Sequence, residues 1–224
     1  MRAVALLVAA LALMLAGCSE KERAETPAPS QEAVESQPSG EAPAQPAAAR
    51  PAAPTEEEIA RAKQVGEVRV RLTTSKGEIV VKLHGTAAPI AVANFLNLVR
   101  AGFYDGMPFH RVEPGFVIQA GDPAQAGRPP VGYTITDERS PIKHTKGTIA
   151  MARSYLGGRM VPNSANTQFY ITLADTPHLD EIGFTAFGRV VEGLPVTEKI
   201  AVGDVIRKAA VVEGAGERAR EKGK

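Results

Sequence analysis

From residue 67 onward the chain alternates hydrophobic and polar residues in the manner of β-strands. Glu67–Thr73 (EVRVRLT) alternates residue by residue, and Glu78–Leu83 (EIVVKL) is a second apolar stretch after Ser75-Lys76-Gly77. A period of two places apolar side chains on one face of a strand, and a glycine-containing turn between two such stretches is typical of a hairpin. The pattern therefore predicts two antiparallel strands.

Helical spacing follows at residues 89–102. The apolar residues that share one helical face are Val92, Phe95, Leu96 and Val99. Pro89 suits the first turn of a helix and Gly102 supplies a stop. Residues 195–202 (PVTEKIAV) predict a second helix.

Short strand candidates dominate the rest of the chain: Tyr133–Thr136, Thr148–Ala152, Phe169–Leu173, Ala186–Val191 and Val205–Val212. Seven or eight short strands with only two good helices favour an antiparallel barrel or sandwich over a parallel sheet.

The stretch from Phe109 to Asp122 (FHRVEPGFVIQAGD) carries the candidate chemistry. It contains strand-like runs at residues 109–112 and 116–119, separated by a Pro-Gly turn. Simple alternation puts Phe109, Arg111, Val117 and Gln119 on one face and Phe116 on the other. An inward-facing arginine needs a partner or a purpose because an unpaired buried charge is costly. A structural salt bridge and a functional arginine both remain open at this point.

The first 58 residues predict export and tethering. Arg2 precedes an apolar run of fourteen residues, Ala3–Ala16, which is too short to span a bilayer but suits a secretory signal peptide over residues 1–17. Leu15-Ala16-Gly17-Cys18 resembles the lipobox of bacterial lipoproteins, in which the cysteine receives a diacylglyceryl group. A plain cleaved signal with an incidental cysteine is the alternative.

Residues 18–58 predict a disordered linker that holds the domain off the membrane. Residues 19–58 contain seven prolines, nine glutamates and three basic residues. Such a segment has too little apolar surface to offset the entropy of ordering. Thr55 and the three glutamates after it predict the cap of a short helix over residues 59–66, and the alternative is that this segment is only the end of the linker. Residues 67–213 form the predicted domain, and residues 214–224 a basic flexible tail.

Composition excludes several classes of function. One cysteine cannot form an intrachain disulfide or a cysteine metal cluster, and the four histidines are far apart in sequence, so we expect no metal and no cofactor. Basic residues are scattered and form no stripe interleaved with aromatics, so no nucleic-acid partner is expected. His84, His110 and His144 are interpreted as packed structural histidines, and Asp122, Asp137 and Glu138 as loop-fixing groups.

Six segments in order then resemble the cyclophilin family of peptidyl-prolyl cis-trans isomerases over residues 67–212. They are Ala88–Phe95 (APIAVANF), Tyr104–Val112 (YDGMPFHRV), Pro114–Asp122 (PGFVIQAGD), Gly147–Ala152 (GTIAMA), Asn166–Ile171 (NTQFYI) and Phe187–Gly193 (FGRVVEG). The resemblance implies a mainly β fold, a closed eight-stranded antiparallel barrel capped by two α-helices.

The resemblance also implies roles for individual residues. Arg111 matches the catalytic arginine and Gln119 the glutamine that orients it. Phe116 and Phe169 match walls of the proline pocket. The further groove positions are Val117, Ala152, Arg153, Gln168, Tyr170, His178 and Leu179. His178 stands where many members carry tryptophan, which predicts weak cyclosporin binding. The loop at residues 155–163 (YLGGRMVPN) is enlarged beside the groove, where it either sets which peptides enter or is only a tolerated surface insertion.

The implied function is isomerisation of X-Pro bonds in unfolded exported proteins by a monomeric, lipid-anchored enzyme of the cell envelope. Ser19 after the lipidated cysteine indicates the outer membrane and a periplasm-facing domain. The first alternative is a peptide-binding or chaperone module with little turnover. The second is an unrelated ligand-carrying barrel, which requires a hollow apolar lumen.

Overall fold

The computed structural model describes residues 51–212. The predicted signal peptide, Cys18, most of the linker and the basic tail lie outside the described residues. The elements in chain order are α1 (Glu56–Val65), β1 (Glu67–Thr74), β2 (Gly77–His84), α2 (Pro89–Arg100), β3 (Met107–Glu113), β4 (Val117–Ala120), a 3-10 turn (Pro123–Ala126), β5 (Thr148–Met151), β6 (Tyr155–Leu156), β7 (Arg159–Met160), β8 (Phe169–Thr172), α3 (His178–Ile182), β9 (Ala186–Glu192), α4 (Leu194–Thr197) and β10 (Val205–Val212).

Eight of these strands close into an antiparallel barrel in the order β1-β10-β3-β4-β8-β5-β9-β2. β1 and β2 form the predicted hairpin, with Val70 opposite Val81 and Leu72 opposite Ile79. Closure gives every barrel strand two neighbours, which removes exposed sheet edges. The predicted fold class, a closed eight-stranded antiparallel barrel, is confirmed.

Aromatic side chains fill the barrel interior. The Phe95 ring of α2 lies 5.0 to 5.3 Å, centroid to centroid, from Tyr104, Phe169 and Phe187, and all four side chains are fully buried. The Phe95 and Phe169 rings meet edge to face, an arrangement that stabilises a core beyond simple burial. The interior is therefore packed, unlike the hollow lumen that a ligand-carrying barrel would need.

α1 does more than end the linker. Thr55 and Glu58 form the predicted capping box, and the helix begins at Glu56, three residues before the predicted start. Ala62 is buried, and a side chain added at Gly85 would meet the Ala62 carbonyl oxygen at 1.9 Å. The helix thus packs closely on the chain that leads into α2.

Two element predictions are wrong. Residues 133–136 are not a strand; they make one isolated bridge, Ile135 to Ala165, because the barrel closes without them. The predicted helix at residues 195–202 is only the short α4 and ends at Thr197. The Thr197 hydroxyl donates to the Leu194 carbonyl at 2.6 Å, a local bond of the type that competes with helix continuation.

Across residues 51–212, every helix falls short of the length and apolar character that crossing a membrane requires.

Candidate active site

A recess of about 460 Å³ opens on the outer wall of the barrel. Its lining is largely apolar, with a guanidinium at one side. The residues that line it are Arg111, Phe116, Val117, Gln119, Ala152, Arg153, Tyr155, Met160, Tyr170, His178, Leu179, Ile182 and Phe184. Seven of the nine predicted groove positions lie in this set, together with both predicted catalytic residues.

Strand register brings the floor of the recess together. Tyr170 on β8 is opposite Gln119 on β4 and Ala150 on β5. Directly opposed residues on antiparallel strands share a face of the sheet, so these side chains point to the same side of the barrel wall. Val117 and Leu179 join Tyr170 and Ala150 in an apolar cluster separate from the barrel interior.

A bulge in β3 directs Arg111 outward. Phe109 is opposite Ala120, but Arg111 is opposite Gln119, so His110 is an extra residue in the ladder. A bulge changes which face the following residues occupy. Phe109 is fully buried in the interior while Arg111 is exposed, and the expectation that both share a face is wrong.

The Pro-Gly turn places Phe116 at the recess although it stands at the opposite parity from Val117. Gly115 has φ of 72°, and the Phe116 amide donates to the Glu113 carbonyl at 2.9 Å. Phe116 precedes β4, so strand alternation does not govern its side chain. Its ring stacks on His178 at 5.7 Å between centroids and forms one wall of the recess.

Arg111 is held by two neighbours. Its Nη1 donates to Gln119 Oε1 at 3.0 Å, and Gln119 Nε2 donates onward to Gln168 Oε1 at 2.8 Å. Its Nε and Nη2 contact Glu113 Oε1 at 2.8 and 2.7 Å. The guanidinium carbon lies 5.7 Å from the centre of the Phe116 ring. These contacts fix the guanidinium plane at the edge of the apolar recess.

The prediction that Phe169 forms a wall of the pocket is wrong. Phe169 is opposite Ala120 and Met151, both of which point inward, and its ring is fully buried against Phe95. The next residue, Tyr170, faces outward because strand side chains alternate. Tyr170 therefore occupies the wall position expected for Phe169.

A buried hydrogen-bonded chain supports Tyr170 from behind. His144 Nε2 lies 2.9 Å from the Tyr170 hydroxyl, and His144 Nδ1 lies 2.7 Å from Asp180 Oδ1. Because a carboxylate only accepts, Nδ1 carries the proton and the Tyr170 hydroxyl donates to Nε2. Burial lowers the pKa of His144, with the Asp180 carboxylate acting in the opposite direction. Burial also raises the pKa of Tyr170, so its hydroxyl stays protonated.

Two other predicted groove residues, Gln168 and Arg153, make structural contacts with their neighbours. Gln168 does not line the recess and reaches it only through its bond with Gln119. The Arg153 side chain is 7% exposed and pairs with Asp137 at 2.9 Å, while its guanidinium lies 4.6 Å from the Phe184 ring centre. Its backbone N–H and carbonyl have no partner within residues 51–212 and are available at the recess.

The polar residues interpreted as structural fix loops and helix ends. Glu138 accepts from the Ile90 and Ala91 amides at the start of α2, and Asp122 accepts from the Ala124 amide. His144 is buried and bonded as expected, whereas His110 Nδ1 has no hydrogen-bond partner in the described part of the chain. Within that part no three His, Cys, Asp or Glu side chains cluster as a metal site would require.

Sequence reasoning missed several residues of the site. Glu113 was not expected to pair with Arg111, although residues two apart on a strand share a face and opposite charges at that spacing were a usable signal. Ile182 ends α3 and Phe184 follows it, and neither carries such a signal. Tyr155 and Met160 were expected only as part of an enlarged loop near the groove.

The fold and the site together define a class of protein. An eight-stranded antiparallel barrel with a packed interior carries its binding recess on the outer wall, where an oriented arginine adjoins an apolar slot with no serine or cysteine in its lining. This combination is typical of a cyclophilin-like protein.

Comparison with known proteins gives the family. The model of the cyclophilin type peptidyl-prolyl cis-trans isomerase family matches residues 69–215. A peptidyl-prolyl cis-trans isomerase of Helicobacter pylori is 42% identical over 139 residues, which is 60% of this chain and 81% of that protein. Isomerase B of Bacillus subtilis is 39% identical over 134 residues, 60% of this chain and 90% of that protein.

Solved structures agree. A cyclophilin-type isomerase from Cryptosporidium parvum superposes with a TM-score of 0.58 at 27% identity and covers 66% of this chain and 99% of its own. Cyclophilin AquaCyp293 of Hirschia baltica gives a TM-score of 0.57 at 23% identity, over 70% of this chain and 80% of its own, and supports the fold alone. The chain belongs to the cyclophilin-type peptidyl-prolyl cis-trans isomerases.

Proposed function

We propose that this isomerase acts on X-Pro bonds of exported proteins as they fold, and that Arg111 stabilises the twisted amide. The observation that carries the mechanism is the position of the Arg111 guanidinium, fixed by Gln119 and Glu113 at the edge of a recess walled by Phe116 and Tyr170.

The chemical task needs a shaped site and no nucleophile. Rotation about an X-Pro bond breaks amide resonance and crosses a barrier of about 18–20 kcal/mol. A site lowers that barrier when it is complementary to the twisted amide and not to the planar ground state. Loss of resonance leaves a lone pair on the proline nitrogen, which a nearby donor can then hydrogen-bond.

Arg111 suits the role of donor. With Nε and one N–H of each Nη engaged by Glu113 and Gln119, one N–H on Nη1 and one on Nη2 have no partner within residues 51–212. Charge-assisted hydrogen bonds in a partly dry pocket are strong, and arginine stays protonated at any working pH. Phe116, Val117, Tyr170 and Leu179 would hold the pyrrolidine ring while the preceding carbonyl turns.

Relatives support proline-containing peptides as the substrate class. The Cryptosporidium parvum cyclophilin was also solved in the presence of the dipeptide Ala-Pro, and that structure superposes with a TM-score of 0.56 at 27% identity. The recess here is large enough for a pyrrolidine ring and part of a flanking side chain. The unpartnered Arg153 backbone beside it can pair with an extended peptide.

Arg111→Ala is expected to lower kcat/KM on an X-Pro peptide by about a hundredfold or more, since removal of one transition-state donor costs about 2.7–4 kcal/mol. A protease-coupled isomerisation assay measures this directly. Arg69→Ala is the matched control, because Arg69 is an exposed arginine on β1 that contacts Glu192 at 3.9 Å and does not line the recess. Full activity of Arg111→Ala would refute the mechanism.

The same assay separates the enzyme from a non-catalytic peptide-binding module. A binding module would bind proline peptides in a titration and show turnover no higher than the Arg111→Ala variant. Arg111 and Gln119 are both present and are hydrogen-bonded to each other, which favours the enzyme over the binding module.

We infer in addition that the chain is a lipoprotein whose domain faces the periplasm, attached to the outer membrane by two or more acyl chains on Cys18. Leu15-Ala16-Gly17-Cys18 directly after the apolar run supports this. Each buried methylene contributes about 0.8 kcal/mol, and two chains give the stable anchoring that one does not.

Mass spectrometry of the mature amino-terminal peptide tests the anchor. In bacteria that express the full chain we expect cleavage before Cys18 and an acylated cysteine in the outer-membrane fraction, while Cys18→Ala abolishes both the acylation and the membrane association. An unmodified amino terminus generated elsewhere would contradict the inference.

A further inference from the structure

A small hairpin contributes two residues to the lining of the recess. It consists of β6 and β7, in which Tyr155 is opposite Met160 and Leu156 is opposite Arg159, joined by Gly157 and Gly158. Tyr155 and Met160 line the recess, and Met160 packs against the same apolar cluster as Val117 and Tyr170. Arg111 does not belong to this hairpin. A role of the hairpin is therefore separate from the stabilisation of the twisted amide proposed for Arg111.

The base of the hairpin is firmly held, unlike that of a tolerated surface insertion. Val161 N donates to the Ser154 carbonyl at 2.9 Å, and Ser154 N donates to Ser164 Oγ at 2.9 Å. Asp137 Oδ2 accepts from Asn163 N at 2.9 Å and from Arg153 Nη1 at 2.9 Å, and the Arg153 and Asp137 side chains are 7% and 18% exposed. Arg153 Nη2 also donates to the Ile182 carbonyl at 3.0 Å.

The two faces of the hairpin differ in what they meet. Cross-strand partners share a face, so Tyr155 and Met160 lie on the recess side while Leu156 and Arg159 lie on the other. Tyr155 and Leu156 are similarly exposed, at 65% and 76%. An exposed tyrosine at the edge of an apolar recess offers a broad surface that a bound peptide can cover.

We propose that Tyr155 and Met160 form a selectivity shelf that binds a large apolar side chain of the substrate within two residues of the proline. This inference rests on the proposed function of the recess as the peptide site. The shelf belongs to the same recess as the proline slot, and Met160 packs against the apolar cluster that contains Val117 and Tyr170. Its chemistry is apolar and aromatic, so acidic or small flanking residues gain nothing from it.

The experiment compares Tyr155→Ser with Leu156→Ser in the whole chain. Peptides carry Leu, Phe, Ala or Glu at one of the two positions on either side of proline, and both kcat/KM and peptide affinity are measured. Wild type is expected to favour Leu or Phe over Ala by about tenfold at one or more positions, the scale of one large apolar contact. Tyr155→Ser is expected to remove most of that preference, so that kcat/KM falls by a larger factor on the leucine and phenylalanine peptides than on the all-alanine peptide, while Leu156→Ser retains the preference.

Three outcomes would overturn the proposal: no preference in wild type, equal effects of the two serine variants, or a loss on the all-alanine peptide as large as that on the leucine peptide. Affinity measured in an Arg111→Ala background keeps the test independent of turnover. A preference that persists in binding there supports the shelf even if the arginine mechanism fails. Circular dichroism on both serine variants shows that the exposed substitutions leave the fold intact.

Discussion

At the scale of single residues, the neighbours Phe169 and Tyr170 have opposite environments. Phe169 belongs to the aromatic core inside the barrel, and Tyr170 belongs to the wall of the recess outside it. A resemblance aligned by motif can assign a role to the wrong one of two adjacent aromatics. Strand register decides between them, because Tyr170 is opposite Gln119 and Phe169 is opposite Ala120.

Substitutions at these two positions are expected to separate stability from function. Phe169→Ala should lower the free energy of unfolding by about 3–5 kcal/mol, the usual cost of removing a buried phenylalanine. Tyr170→Phe should cost about 1–3 kcal/mol, because His144 Nε2 loses its buried partner, while the aromatic wall and most of the activity remain. Urea denaturation and the isomerisation assay measure the two effects.

The assignment would be reversed if Phe169→Ala kept wild-type stability but lost peptide binding. Ala174→Gly serves as a control, since Ala174 is only partly buried and lies after β8 outside the recess.

At the scale of secondary-structure elements, the strands and the principal helix were predictable from local pattern. β1 alternates, β2 is a short apolar run after a turn, and α2 has helical spacing, and the structure begins and ends all three within one or two residues of the predicted bounds. Local pattern failed where a distant partner decides the outcome. Residues 133–136 have strand-like composition but no free strand to pair with, and the bulge at His110 depends on how β3 meets β4.

The Tyr155–Met160 hairpin shows the same division. Its length and two glycines marked an enlarged loop, but its two-stranded form and its orientation over the recess depend on Asp137, Arg153 and Asn163, which come together only in the fold. The sequence therefore predicted where this element lies in the chain, and tertiary packing decided which of its side chains line the recess.

At the scale of the whole molecule, closure of the barrel creates both the core and the site. The interior is filled by α2 and aromatic strand residues, so binding takes place on the outside wall. Three histidines of the domain, His84, His110 and His144, are partly or fully removed from solvent, and in each case burial is the largest cause of a lowered pKa.

Stability is therefore expected to depend on pH in the weakly acidic range. The unfolded chain binds protons on these histidines near the ordinary pKa of 6.5, whereas the folded chain binds them only at lower pH. Their contribution to stability is fully present above about pH 6.5 and is lost as the pH falls through the lowered folded values. Urea denaturation at pH 7.5, 6.5 and 5.5 should show a falling free energy of unfolding, with a smaller fall in His144→Gln.

A free energy of unfolding that rises between pH 6.5 and 5.5 would contradict this expectation. Among the carboxyl groups, burial raises the pKa of Glu138, which acts in the opposite direction near its own titration. A Glu138→Gln variant separates the effect of this carboxyl group from that of the histidines.

The sequence by itself determined the alternating strands, the amphipathic α2, and the six ordered segments that carry the family resemblance, because each depends on residues close together along the chain. It also supplied Arg111 and Gln119 as a pair. Only the tertiary structure decided that Tyr170 and not Phe169 walls the recess, that Glu113 pairs with Arg111, and that Tyr155 lines the recess. Those outcomes depend on register, a bulge and contacts between segments distant in sequence, which local periodicity does not encode.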